Sequence, residues 1–227
     1  MAVYYPVMLD LSNTRCVVIG GGKIAERKIE GLLAAGASVV VISPEFTEPI
    51  ERRIREGRVG AQRRRFEVDD LTGAFLVFAA TDDDEVNREI AQAARERGIL
   101  VNAVSSPEDS RFVNPAVFRR GELTFAVSTS GRSPAAAALI RDWLEAAMGD
   151  RWDSELQWLA AFRRRVREIT ADGPARERIW HALKQRGVQR LLEDVPPSQW
   201  TEADMDKLIA SLLDGSAPSA GGADPRQ

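Results

Sequence analysis

Gly20-Gly21-Gly22 followed at once by Lys23 is the stretch of this sequence best suited to chemistry. The unpaired amides and the dipole at a helix N-terminus attract an anion, and glycine lets that anion approach closely. Gly20 would permit a tight turn, Gly22 would admit a pyrophosphate with no Cβ in the way, and Ala25 would let the helix pack on the preceding strand. Lys23 adds positive charge beside the anion. A ribose-binding carboxylate is expected about 20 residues beyond the glycines. Glu45 falls slightly late for that role, after Ser43 and Pro44, and a carboxylate there favours NAD over NADP. A glycine cluster could also be a plain strand-to-helix turn, but here strand, helix and second strand all fall where nucleotide binding needs them.

Two further polar groups stand where they could reach the same ligand. Thr81-Asp82-Asp83-Asp84 and Asn102 to Ser106 each follow an apolar run, and Thr81 and Asp82, nearest the strand end, have the better claim; Asp84 reads as loop and cap. Farther on, Thr129-Ser130-Gly131-Arg132-Ser133-Pro134 sets an arginine and three hydroxyls at the start of a helical pattern, with Ser133 as N-cap and Pro134 at the first helical position. That arrangement suits a carboxylate-rich ligand, and ordinary capping alone does not account for Arg132.

The elements that must position these groups alternate. Arg15 to Ile19, Ser38 to Ile42, Phe75 to Ala80 and Leu100 to Val104 read as buried parallel strands, with helical patterns from Lys23 to Leu33 and from Val86 to Arg97. Asp82 with Glu85 makes a capping box for the second of these helices. Ile50 to Arg55 reads as a short charged helix and Gly60 to Phe66 as a third strand, while Tyr4 to Leu11 is an apolar lead-in across the sheet edge. The fold class is therefore α/β, a Rossmann-like doubly wound parallel sheet with its ligand outside the carboxyl ends of the strands. From Ala116 a strand pair follows, Ala116 to Arg119 and Leu123 to Ser128. Beyond Gly149 the chain reads as helical, with apolar stripes Leu156-Leu159-Phe162-Val166, Ile179-Ala182-Leu183 and Met205-Leu208-Leu212-Leu213, broken at Gly173-Pro174 and Pro196-Pro197.

Composition excludes several classes of function. With 31 Lys and Arg against 34 Asp and Glu, the net charge of −3 advertises no nucleic-acid partner, and Arg63-Arg64-Arg65 reads as a solvated strand end. A nucleic-acid regulator using Arg163-Arg164-Arg165 is disfavoured because acidic residues interleave. The single Cys16 lies inside the first strand and reads as a buried thiol, and lone His181 as a surface or core residue. The opening residues do not read as a signal peptide and no apolar run reaches the roughly 18 residues of a membrane span, so a soluble, cytoplasmic protein without membrane contact is expected.

Taken together, Tyr5 to Leu11, Val18 to Lys28, Ala79 to Asp83, Val101 to Val104 and Ser128 to Pro134 resemble the siroheme synthase dehydrogenase module, the precorrin-2 dehydrogenase family, some of whose members double as sirohydrochlorin ferrochelatases. The resemblance runs from Tyr5 to about Met148. It implies NAD-dependent oxidation of precorrin-2 to sirohydrochlorin in siroheme biosynthesis, with Fe2+ as a further substrate where ferrochelation follows, and no resident metal. It also implies a homodimer, with a dinucleotide-binding domain over 1–113, a dimerisation segment over 114–149 and a helical domain over 150–214, while 215–227, rich in Gly, Ala, Ser and Pro, reads by composition as a disordered tail. Carried across, the cofactor contacts fall on Lys23, Ile24, Pro44 and Glu45, with Thr81 from its strand end; Asn102, Ser130, Arg132 and Ser133 are the substrate-binding candidates. One position departs from the family, because Ser105 stands where the family has an aspartate serving as general base. Serine lacks useful basicity without a partner base, so Asp82 and Asp109 are the substitute candidates. The same departure supports a second reading, an NAD-binding sensor or tetrapyrrole carrier on an enzyme scaffold.

Overall fold

The structure, a computed structural model, describes residues 4–148 and 152–215. The tail expected over 215–227 lies, beyond Gly215, outside the described residues. The chain divides into two compact units, one comprising the residues up to Ala116 with Ser128–Ala137, the other Val117–Val127 with the chain from Ala138 onward.

In the first unit, β1 (Arg15–Ile19), α1 (Lys23–Ala34), β2 (Ser38–Ile42), α2 (Glu48–Arg55), β3 (Gly60–Gln62), β4 (Leu76–Ala79), α3 (Asp84–Glu96) and β5 (Leu100–Ala103) follow in order. The strands form one parallel sheet in the order β3-β2-β1-β4-β5. Parallel strands covered on both faces are apolar almost throughout, which is why β1 beyond Arg15 and β4 read as hydrophobic runs. The period of two is still visible in what they touch. Val18, Val39, Val41 and Phe78 pack with Ala25, Ile29 and Leu32 of α1, whereas Val17, Ile19, Val77 and Ala79 pack with Ile90, Ala91 and Ala94 of α3. With β2 on one side of β1 and β4 on the other, the strand order reverses at β1, and its carboxyl end is the switch point where such sheets bind ligands.

Local details differ from the sequence reading. The third strand stops at Gln62, because the next arginines are drawn into ion pairs: Arg63 with Glu51 at 2.5 Å, and Arg64 with Asp70 through two bonds of 2.9 and 2.6 Å. Tyr5, Val7 and Met8 are exposed, so the lead-in does not lie across the sheet; Leu11 is where it enters the core. The cap of α3 is Asp83, which accepts from the amides of Glu85 and Val86, and not Asp82.

The second unit holds the hairpin β6 (Ala116–Arg120) and β7 (Leu123–Val127), where Phe118 stacks on Phe125 with centroids 4.7 Å apart. After α4 (Pro134–Ala147) come α5 (Trp152–Ile169), α6 (Gly173–Arg186), α7 (Val188–Asp194) and α8 (Glu202–Asp214). Gly173-Pro174 opens α6 behind the Asp172 cap, and α7 is an extra helix that no stripe in the sequence foretold. The buried line on α5 runs Glu155-Trp158-Phe162-Val166, leaving Leu156 and Leu159 half-buried, because Trp158 turns inward to stack on Phe162 at 5.0 Å. Ile179 and Leu183 of α6 and Met205, Leu208, Ile209 and Leu212 of α8 complete that core, while Leu213 stays exposed.

Asp70 gives the fold an acid-sensitive tie. Burial pushes its carboxyl up, but the Arg64 guanidinium and the amide of Glu67 at 2.9 Å outweigh burial and hold it below the usual carboxylate range. A depressed folded value means the unfolded chain binds the proton more readily, so this stabilisation is full above about pH 4 and is lost as pH falls through the folded value. Asp70→Asn should lower the urea midpoint at about pH 7, and the gap from wild type should shrink at about pH 3. An equal gap at both would contradict the assignment.

Candidate functional site

The turn that leaves β1 is packed against two other strand exits. Gly20 has φ +122°, and a Cβ there would stand 2.2 Å from the Ala80 carbonyl oxygen and 3.1 Å from the Thr81 nitrogen. At Gly21 a Cβ would stand 1.8 Å from the Glu45 carbonyl oxygen and 2.9 Å from Ser43 Oγ. Contacts that short do not occur between real atoms, so both positions are closed to any side chain. Backbone bonds hold the same arrangement, Gly20 donating to the Ile42 carbonyl and Thr47 to the Gly21 carbonyl, each at 2.9 Å. Gly22 differs, since a Cβ there meets nothing within 4 Å.

That open position is the N-cap of α1, and no side chain caps the helix. The first amides of a helix have no intrahelical partner. At α1 no side chain caps those of Lys23 and Ile24, a Cβ on the neighbouring Gly22 would meet nothing within 4 Å, and Lys23 is exposed beside them. The residues fit a dinucleotide's pyrophosphate, and the fit rests on that uncapped terminus and open cradle. Ile24 is exposed and Ala25 is fully buried against the sheet, as helix-on-strand packing requires. The contact at Gly21 also fixes Glu45, whose backbone is pressed against the glycine loop while its side chain is exposed, with Pro44 exposed beside it.

At the other strand exits, Thr81 and Ser105 are joined by a residue that the sequence reading did not single out. Asn87, fully buried on α3, accepts from the Thr81 amide at 3.1 Å and hydroxyl at 2.8 Å, and donates to the Thr81 carbonyl at 3.0 Å and to Ser105 Oγ at 3.3 Å. Its signal was a polar side chain on the face that otherwise buries Ile90, Ala91 and Ala94. Asp82 is exposed in the loop after β4, and Asp109 is paired with Arg95 at 3.1 Å. Asn102 is buried in β5 and donates to the Phe112 carbonyl at 2.9 Å, supporting the loop that returns after β5. Lys28 lies with its ammonium 5.0 Å from the centre of the Phe78 ring, and burial, helped by Arg27, lowers its pKa. Burial likewise raises the Cys16 thiol to about 11, leaving it un-ionised near neutral pH.

Ser133 caps α4 as expected, accepting from the Ala136 amide at 3.1 Å. Thr129 closes the turn by accepting from the Ser133 amide at 3.1 Å and donating to its carbonyl at 3.0 Å. Ser130 and Gly131 take positive φ of 54° and 80°, which turns the chain sharply ahead of exposed Arg132. Among the described residues no group of three or more His, Cys, Asp and Glu stands ready to hold a metal, and no helix is long and apolar enough to cross a membrane.

The glycines make separable predictions. Gly22→Ala should leave the melting temperature within a degree or two, because the methyl meets no protein atom, yet weaken NAD binding about tenfold or more by filling the cradle. Gly21→Ala should lower the melting temperature itself, since the Glu45 carbonyl must move. Thermal melts with and without NAD, beside calorimetric titration, check both; equal destabilisation by the two substitutions would contradict the geometry.

A family model described as NAD(P)-binding matches residues 7–116, and one described as the central part of a sirohaem biosynthesis protein matches residues 120–147. A siroheme synthase of Methylobacillus flagellatus is 38% identical over 180 residues, 79% of this chain and 38% of that protein. One of Chromobacterium violaceum is 35% identical over 218 residues, 96% of this chain and 46% of its own. The chain thus spans less than half the length of these relatives. Among solved structures, SirC, a precorrin-2 dehydrogenase, superposes with a TM-score of 0.67 at 26% identity, covering 93% of this chain and all of SirC. The first unit carries an NAD(P)-binding domain, and the chain is similar to part of the siroheme synthases and to the whole of the precorrin-2 dehydrogenase SirC.

Proposed function

We propose that this protein oxidises precorrin-2 to sirohydrochlorin with NAD, as a step of siroheme synthesis. The observation that carries the reading is the uncapped N-terminus of α1 over open Gly22, flanked by the exits of β2 and β4. A bound nicotinamide dinucleotide would supply the hydride acceptor. The chain's own part is to bind and orient. The amides of Lys23 and Ile24 and the Lys23 ammonium take the pyrophosphate, with Gly20 shaping the turn and Gly22 leaving room. Ser43, Pro44 and Glu45 take the ribose, and Thr81 flanks the ring end. Positioning of this kind can account for roughly 7 to 11 kcal/mol of a barrier, whereas a general base contributes about 10²- to 10⁴-fold. Oxidation therefore tolerates Ser105 in place of a carboxylate. Of the substitute bases, Asp109 is held by Arg95, so Asp82 is the better placed to take a proton. We assign Ser130, Arg132 and Ser133 to the carboxylates of the tetrapyrrole, with Asn102 supporting the wall. Iron insertion, with Fe2+ as substrate, rests on the family resemblance alone.

We also propose a homodimer through the 114–149 segment and the cytoplasm as its compartment. Leu139, Ile140 and Trp143 expose an apolar stripe along α4, at 70, 45 and 69% of their areas, which suits a second copy.

Incubation with precorrin-2 and NAD should yield sirohydrochlorin and NADH together. Tight NAD binding without turnover would overturn the enzyme reading in favour of a sensor or carrier. Glu45→Ala should raise the use of NADP relative to NAD by about tenfold, near 1.4 kcal/mol, by removing a charge that repels the extra phosphate. An unchanged ratio of the two kcat/KM values would remove Glu45 from the ribose site.

A further inference from the structure

The side-chain amide of Asn87 can be oriented without ambiguity, and its orientation sets the role of Ser105. The Thr81 backbone N–H requires an acceptor, and it meets Asn87 Oδ1 at 3.1 Å; the Thr81 carbonyl requires a donor, and it meets Asn87 Nδ2 at 3.0 Å. A flipped amide would face donor to donor and acceptor to acceptor, so Nδ2 is the atom turned toward Ser105 Oγ at 3.3 Å. An amide nitrogen only donates, so Ser105 Oγ accepts, and the hydroxyl proton of Ser105 is left for some other partner. Thr81 has no such freedom. Its hydroxyl proton is taken by Asn87 Oδ1 at 2.8 Å or the Asp83 carbonyl at 3.0 Å, while the Asp83 amide donates to its oxygen at 3.2 Å. Asn87 itself is fully buried with both amide hydrogens given and two bonds accepted, so rotating it would leave buried polar groups unpaired. Ser105, by contrast, is exposed at the exit of β5.

We propose that Asn87 is a positioning residue that makes Ser105 a hydrogen-bond donor to an oxygen acceptor of the bound ligand. The inference rests on the reading of these strand exits as the dehydrogenase site. The acceptor is a carboxylate or carbonyl oxygen, supplied by either the tetrapyrrole's side chains or the carboxamide of the nicotinamide. Ser105 then binds and orients without serving as a base, and Asn87 acts only through it and Thr81.

The test measures binding, so that it does not depend on turnover. Ser105→Ala, Ser105→Thr, Asn87→Asp and the Asn87→Asp, Ser105→Ala double variant of the full chain are titrated calorimetrically with NAD and with sirohydrochlorin, beside thermal melts. Asn87→Asp replaces the donor facing Ser105 by an acceptor, which draws the serine proton inward. Ser105→Ala should weaken one of the two ligands about five- to tenfold, beside a small drop in melting temperature from the Asn87 N–H it leaves without an acceptor, and the ligand affected identifies the source of the acceptor. Ser105→Thr, which keeps the hydroxyl, should restore most of that affinity. Asn87→Asp should weaken the same ligand in the wild-type background and have less than a twofold effect on it once Ser105 is alanine. Should Asn87→Asp not fold, Asn87→Ala, which frees the serine hydroxyl to rotate, is read for the same non-additivity. If Ser105→Ala leaves both affinities within twofold, or if the losses at the two positions multiply in full, the proposal is wrong. Failure of wild type to form NADH from precorrin-2 would sink the dehydrogenase reading alone, since these titrations still compare the variants.

Discussion

Everything in the first unit depends on a steric constraint, the absence of room for a Cβ at two successive residues. Gly20 lies against the carbonyl of Ala80 and Gly21 against that of Glu45, so the exits of β4 and β2 close on the exit of β1 from both sides. A larger residue at either place would push those exits apart. Because they are held, the chain can turn straight from β1 into α1, and the helix presents its first amides above Gly22 without a side-chain cap. The course of this turn is thus set by backbone packing alone.

Charge is sorted across the first unit by what each carboxylate touches. Asp70 is buried against Arg64 and Asp109 is held by Arg95, while Asp83 accepts from two amides at the start of α3. Each of these has a structural partner within hydrogen-bond reach. Asp82 and Glu45, by contrast, present exposed side chains at the exits of β4 and β2. Adjacent acidic residues in Asp82-Asp83-Asp84 therefore play different parts, and which is which follows from the backbone's entry into α3.

The β1-α1-β2 unit was legible in the sequence because its determinants are local. Apolar runs of four residues, a glycine turn, and Gly36 past the helix each act within a few positions of themselves. The strand pair at Ala116 and the Ser133 cap were legible for the same reason. What escaped was set by partners distant in the sequence. The importance of Gly21 depends on Glu45, the early end of β3 on Asp70, and the inward turn of Trp158 on the packing of α5. Asn87 escaped because a polar residue at a helix's core position looks like a flaw until Thr81 and Ser105 are seen around it. The cap at Asp83 was missed by one residue, the usual scale of error at helix ends.

The floor that Asn87 makes under position 105 is indifferent to which oxygen rests on it. What it offers there is a single N–H, and an aspartate could accept that N–H as well as a serine does. From beneath, the two residues are interchangeable; from above, one gives a proton and the other takes one. An exchange of serine and aspartate at this one position therefore swaps a donor for an acceptor on the exposed side while the bond from Asn87 is kept.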